Sequence, residues 1–299
     1  MIRYWKSIPY TYISMNAKLQ SAEAKVDVLN SHQALHTIQS ASRYFFYATE
    51  FAQLTGRAPG SASTKLALHR LAEQGWITCV ARRPGKWLII PPEHAHYGAP
   101  PVDWWIDAFF RDTEPTYYVG LLSAARHWGS SHYALQETQV MLKKQRPDLS
   151  VGRQRLVFFT KTSGENTPAV FFTKGNSRYR VSTREATLVD LVRHQDKVGG
   201  LDAISRVATD FAPQLSSRVL LEALDAQGQV PCAQRLGFIF DTLSLSKYAS
   251  VVEAWLDGKP KKTQPLTRSE GDESGEAELS TRWLISYFPK QLRTIREAV

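Results

Sequence analysis

Residues 61–90 read SASTKLALHRLAEQGWITCVARRPGKWLII, and the hydrophobic period changes halfway along them. Leu68, Leu71 and Ala72 recur at the spacing of one helical face. Ser61-Ala62-Ser63-Thr64 supplies hydroxyls to cap the start of that helix, and Gly75 suits a left-handed stop. From Trp76 the pattern becomes strand-like. Residues 76–81 and 87–90 predict two strands joined by Arg82-Arg83-Pro84-Gly85-Lys86, whose Pro-Gly pair suits a type II turn. Upstream, Ala48, Phe51, Ala52 and Leu54 predict a short helix closed by Gly56. Leu19, Ala22, Val26, Leu29 and Leu35 predict a longer one over residues 18–38. Helix, turn, helix and a hairpin with a cationic tip is the order of a winged helix-turn-helix.

Such a unit offers two surfaces to a polyanion. The first turn of the second helix, with Ser61, Ser63, Thr64 and Lys65, is placed to meet base edges in a major groove, and His69 lies one turn on. Arg82, Arg83 and Lys86 on the wing are placed to neutralise phosphates. Each hydroxyl also has a plainer role as a helix cap, and a charged hairpin tip can be a solvated turn. The charge balance favours nucleic acid. The 299 residues carry 37 Lys and Arg against 28 Asp and Glu, a net +9. Residues 1–98 alone hold an excess of six, two thirds of the total.

Prolines 91, 92, 100 and 101 punctuate the end of the hairpin and place a boundary near Gly98. The expected organisation is therefore a winged helix-turn-helix domain over 1–98 and a mixed α+β domain over 99–299. The latter should combine a small sheet with a helical C-terminal part. Within it, Asp103 is positioned to cap a helix carrying Trp104, Trp105, Ala108 and Phe109, and residues 116–128 read as a buried helix. Strands are expected at 138–142, 155–160, 169–172 and 178–182. Ser182-Thr183-Arg184-Glu185 reads as a capping box. Helices are expected at 201–211, 217–226, 230–243 and 247–256. Residues 257–278 are too polar to offset their ordering entropy and read as a flexible loop before a final helix over 281–298. A cationic run, Lys143, Lys144, Arg146, Arg153, Arg155 and Lys161, offers additional nucleic-acid contacts. A second group, Lys174, Arg178, Arg180 and Arg184, follows. A solvated sheet face explains both groups equally well.

The sequence argues against an enzyme. It contains no Gly-rich phosphate loop. His32, His36, His94 and His96 lack the carboxylate or cysteine partners of a metal site, so neither metal nor cofactor is expected. His127 and His132 flank Gly129-Ser130-Ser131, but residues this close in sequence rarely assemble a nucleophilic triad. Glu185 and Asp190 fall on different faces of one helix, and the strands carry arginines where a nuclease needs convergent acids and a lysine. Cys79 and Cys232 read as reduced core residues of a cytoplasmic protein. Residues 1–15 lack the apolar core of a signal peptide, Met15 is a second candidate start, and no membrane span is expected.

Several segments resemble one family. Tyr117-Tyr118-Val119-Gly120-Leu121-Leu122-Ser123-Ala124-Ala125 is similar to the central helix of AbiEi-type antitoxins, which are also described as regulators of viral defence. The segment at 181–191, VSTREATLVDL, is similar to that family's motif between sheet and helices. Gly199-Gly200-Leu201-Asp202 and Gln234-Arg235-Leu236-Gly237-Phe238 follow in the same order. The resemblance spans roughly residues 43–256 and leaves 257–278 unassigned. It implies a type IV toxin–antitoxin (abortive infection) system acting in phage defence. The winged helix would repress the chain's own operon at inverted repeats in operator DNA. The C-terminal domain would counter a nucleotidyltransferase-like toxin functionally, without a stable complex. The residues themselves leave two alternatives open, a nucleic-acid-processing enzyme and a ligand-responsive transcriptional repressor.

Overall fold

A computed structural model describes residues 28–130, 136–267 and 276–298. The readings that rest on residues 1–27, including the first part of the 18–38 helix and the choice between Met1 and Met15, lie outside the described residues. So do Ser131, His132 and residues 268–275. The chain is α+β.

The N-terminal elements run α1 (Ser31–Ser40), β1 (Phe45–Tyr47), α2 (Ala48–Leu54), α3 (Ala62–Glu73), β2 (Ile77–Ala81) and β3 (Lys86–Ile89). The helix read from residue 18 to 38 thus has its described part at 31–40. Asn30 caps it through Gln33 in a reciprocal capping box. The strands form an antiparallel sheet in the order β1–β3–β2. Side chains alternate between its faces. Phe46, Ile77 and Ile89 join Leu35, Ile38, Phe51, Leu68 and Leu71 in a local core. Phe45, Val80 and Leu88 point the other way, into a core shared with Trp105, Phe109 and Phe158. The small sheet is therefore covered on both faces, by its own helices and by the rest of the protein. The turn read as type II contains a cis Arg83–Pro84 peptide. Cys79 is exposed rather than a core residue, because it lies at a β-bulge between Cys79 and Ala81 that shifts the alternation.

After two short 3-10 turns at Pro92–Tyr97 and Val102–Trp104 come α4 (Ile106–Phe110), β4 (Tyr118–Val119) and α5 (Leu121–His127). The helix expected over 116–128 is thus a two-residue strand followed by a shorter helix. Gly120 is extended and Leu121 adopts a φ of 54°, a break that an apolar run does not announce. Asp103 caps no long helix; its carboxylate accepts a hydrogen bond from the Ser177 hydroxyl. Strands β5 (Thr138–Leu142), β6 (Leu149–Val151), β7 (Gln154–Thr160), β8 (Ala169–Lys174) and β9 (Ser177–Ser182) follow. They complete a six-stranded mixed sheet in the order β6–β7–β5–β4–β9–β8, larger than the expected small sheet. Pairing is parallel for β5 with β7 and for β4 with β9.

Alternation divides the central strands of this sheet between two cores, as expected for strands buried on both faces, whereas the edge strand β8 is largely exposed. Val119, Val140, Leu142, Leu156 and Phe158 face α4 and the N-terminal sheet. Tyr118, Met141 and Phe159 face the helical half. That half comprises α6 (Arg184–Arg193), α7 (Gly200–Phe211), α8 (Ser217–Gln227), α9 (Val230–Thr242) and α10 (Ser246–Leu256). The described ends of the expected 257–278 loop are folded. Strands β10 (Gln264–Pro265), β11 (Glu278–Ser280) and β12 (Ile285–Tyr287) form a third sheet, and only α11 (Pro289–Glu297) remains of the expected final helix. No helix among the described residues is long and apolar enough to cross a membrane.

Candidate nucleic-acid interface

The start of α3 separates structural hydroxyls from exposed ones. Ser61 is the N-cap, its Oγ accepting from the Thr64 amide at 3.3 Å and lying 3.0 Å from the Ser63 hydroxyl. Thr64 is buried and donates to the Ala58 carbonyl at 2.9 Å, so it faces the local core rather than a ligand. Ser63, Lys65, His69 and Arg70 are exposed, and Leu66 is half exposed beside them. His69 Nδ1 sits 3.2 Å from Glu73, an ion pair only when the imidazole is protonated.

At the hairpin tip Arg82 and Arg83 are exposed. Lys86 does not join them. It is 5% exposed, its ammonium donates to the Phe109 carbonyl at 3.2 Å, and it lies 4.6 Å from the centre of the Phe109 ring. Burial pushes its pKa down, with Arg146 nearby acting in the same sense. The reason is register: Lys86 opens β3 opposite Tyr47, at the seam between the two sheets.

The second cationic run is divided too. Lys143 pairs with Glu165 at 2.9 Å, and Arg155 pairs with Asp148 at 2.9 Å. The Arg146 guanidinium lies over the rings of Phe109, Phe110 and Phe158, within 5.0–5.6 Å of their centres. Lys144 and Arg153 are exposed. In the later group, Arg178 reaches Asp107 at 3.1 Å and Arg184 lies 4.3 Å over the Trp128 ring, while Lys174 is exposed.

Lys161, read with this run, is instead buried. Its ammonium contacts Asp190 at 2.7 Å, and the other Asp190 oxygen accepts from the Tyr118 hydroxyl at 2.8 Å. Lys161 is 1% and Asp190 0% exposed. An acid and a lysine do therefore converge, inside a core where both are almost fully buried. Position along the chain gave no sign of this cluster, because Lys161 follows β7 and Asp190 lies on α6. Next to it, burial pushes His194 down to about 4, with Asp190 opposing and Arg193, Lys197 and Lys161 reinforcing the shift. Burial pushes Cys232 up to about 12.

Of the other histidines, His32 meets the Trp76 ring edge-on, and His94 and His96 pack on Trp104 and Tyr97. No metal-binding cluster of His, Cys, Asp or Glu occurs among the described residues. His127 Nδ1 lies 2.7 Å from the Tyr179 hydroxyl. Burial pushes Tyr179 up to about 12 and, with Arg184, pushes His127 down, so a neutral phenol meets a neutral imidazole.

The segments that carry the family resemblance are structural hubs. Thr183 caps α6 through the Ala186 amide, but the expected capping box is not closed: Glu185 Oε1 accepts from the Ser216 amide at 2.6 Å and ties α6 to α8. Trp128 donates to the Ser182 carbonyl at 2.8 Å. In α9, Gln234 Nε2 donates to the Trp283 carbonyl at 2.8 Å and Arg235 Nε to the Pro265 carbonyl at 2.9 Å. Gly237 leaves room for the Trp283 ring, since a Cβ there would sit 2.1 Å from it.

The sequence profile of the AbiEi antitoxin C-terminal domain matches residues 118–242, from β4 to the end of α9. No curated protein matches the sequence. Among solved structures, the crystal structure of RV2827C protein from Mycobacterium tuberculosis is similar, with a TM-score of 0.62 at 17% identity. The match covers 92% of this chain and 98% of that one. It extends the likeness of fold to nearly the whole chain, and the profile bears out the resemblance to AbiEi-type antitoxins over its own span.

Proposed function

We propose that this chain, which carries a match to the AbiEi antitoxin C-terminal domain over residues 118–242, is a DNA-binding antitoxin of a toxin–antitoxin operon. In this reading residues 1–98 act as a winged helix-turn-helix that represses the chain's own operon. Residues 99–299 counter a nucleotidyltransferase-like toxin encoded beside it.

One observation carries the DNA-binding part. The N-terminal sheet is packed on both faces, and that packing leaves the outer side of α3 and the Arg82–Arg83 tip in solvent. These are the two parts of a winged helix that reach groove and backbone. Ser63, Lys65 and His69 are the candidate base readers, and Arg82 and Arg83 the phosphate contacts. Lys144 and Arg153 extend the candidate footprint onto the second domain.

The test has two arms. Footprinting with full-length protein upstream of its operon should protect inverted repeats in preference to unrelated DNA. Uniform coverage would instead favour a processing role. Co-expression with the neighbouring gene should relieve growth arrest, and Ser63→Ala/Lys65→Ala should retain that rescue while losing repression. If rescue and repression are lost together, the division of labour is wrong.

A further inference from the structure

A cleft of about 710 Å³ opens between the connector that leaves the N-terminal unit and the six-stranded sheet. Its volume falls within the ~300–1,000 Å³ usual for small-molecule sites. Its shape is fixed from both sides. The Arg153 amide donates to the Tyr97 carbonyl at 2.8 Å, and Gln154 Nε2 donates to the Pro100 carbonyl at 2.8 Å. Gly152, at a φ of 56°, approaches so closely that a Cβ would lie 2.2 Å from the Tyr97 oxygen. The connector is thereby fastened to the turn between β6 and β7.

The lining divides by chemistry. Val102, Ile106 and Val119 contribute apolar surface. His94, Tyr97, His127 and Tyr179 contribute rings; Tyr97 is 46% exposed, with the His96 imidazole against one side of its ring at 3.8 Å between centres. Arg126, Arg153 and Arg155 contribute cationic groups, with Asp103 and Glu137 as the acids. Arg155 is paired with Asp148 at 2.9 Å and, more loosely, with Glu137 at 4.0 Å, which leaves the Glu137 carboxylate with accepting capacity. No carboxylate pairs with Arg126 or Arg153 among the described residues, and both are exposed. Two guanidiniums without carboxylate partners, beside an exposed aromatic ring and a carboxylate acceptor, match the parts of a phosphorylated nucleoside. Arginine suits phosphate geometrically, a ring face suits a base, and a carboxylate accepts from ribose hydroxyls.

We propose that this cleft binds a free nucleoside monophosphate, with Arg126 and Arg153 on the phosphate, Tyr97 against the base and Glu137 on the ribose. The site lies away from α3 and the β2–β3 tip and shares only Arg153 with the candidate DNA footprint; its titration contains neither DNA nor toxin, so its test stands apart from the reading above. Because the cleft touches both the connector and the sheet, an occupant contacts both halves of the chain.

The experiment is calorimetric titration of the full-length protein with AMP, CMP, GMP and UMP, with the matching nucleosides, with 2′-deoxynucleotides and with inorganic phosphate. At least one ribonucleotide should bind, and at least tenfold more tightly than its nucleoside or phosphate alone. Arg126→Ala/Arg153→Ala should weaken it at least tenfold, whereas Arg218→Ala/Lys247→Ala, exposed on α8 and α10 away from the cleft, should not. Glu137→Gln should narrow the preference for ribose over deoxyribose. Circular dichroism and thermal unfolding of each variant identify any loss that is only misfolding, and Tyr97→Ala then provides an independent probe of the base contact. The proposal is overturned if no mononucleotide binds, if phosphate binds equally well, or if the arginine variant binds like the parent.

Discussion

Lys161 shows how one residue can reverse its meaning between sequence and structure. In the chain it belongs to a cationic run; in the fold it neutralises Asp190 where neither meets water. Removing one partner of a buried pair leaves an uncompensated charge, at a cost of roughly 3–5 kcal/mol, whereas replacing both with apolar groups can be nearly neutral. Lys161→Met should therefore destabilise the protein by that order in urea unfolding, and Lys161→Met/Asp190→Leu by clearly less. Equal losses would show that the ion pair itself supplies the stability. His194 adds a pH signature. Its folded pKa of about 4 lies below the ordinary 6.5, so the unfolded chain takes up the proton first. Its contribution is complete above pH 6.5 and is lost as pH falls toward 4. His194→Gln should flatten the dependence of stability on pH across that window. An unchanged slope would assign acid sensitivity to other groups. None of this was legible in sequence, because the partners come from different elements and only tertiary packing brings them together.

Among the elements, β5 and helices α7 to α10 were legible nearly to the residue, because long periodic patterns constrain both type and extent. The failures fall where the chain turns inside an apolar run. Residues 116–128 are hydrophobic enough for a buried helix or a buried strand and contain one of each. Residues 281–298 read as one helix, but Leu284 at a φ of 52° and Pro289 at the first helical position divide them. The candidate interface was half legible. Period and caps located α3 and the β2–β3 hairpin, whereas the inward turn of Thr64 and Lys86 depends on packing. Two expected outcomes separate these roles. Arg82→Ala/Arg83→Ala should weaken binding to operator and unrelated DNA alike and flatten the salt slope by about 0.9 for each phosphate that is no longer neutralised. Thr64→Ala should cost about 1 kcal/mol of stability and leave the ratio of operator to unrelated binding unchanged. A fall in that ratio would make Thr64 a base reader after all.

For the whole molecule, the boundary near Gly98 marks a change of composition, but the cores do not stop there. Phe45, Val80 and Leu88 share one cluster with Trp105, Phe109 and Phe158, and Lys86 is held within the seam. An apolar seam of this kind couples the two halves more tightly than the polar contacts usual between domains of one chain. Calorimetry of the full-length protein should show one unfolding transition. Leu88→Ala, at 0% exposure, should lower the stability of the whole by about 2–5 kcal/mol. Two resolved transitions, with only the first shifted, would mean that the halves unfold independently.

The fit of Trp283 over Gly237 has a consequence for synthesis. Helix α9 leaves the ribosome with a notch in its surface, and the ring that fills it is translated later. Domains begin to fold while the chain is still being made. A product cut short before Trp283 would carry α9 with that notch open to water and the Gln234 side chain without its carbonyl acceptor at Trp283. Such fragments should bind a hydrophobic dye that the finished protein excludes.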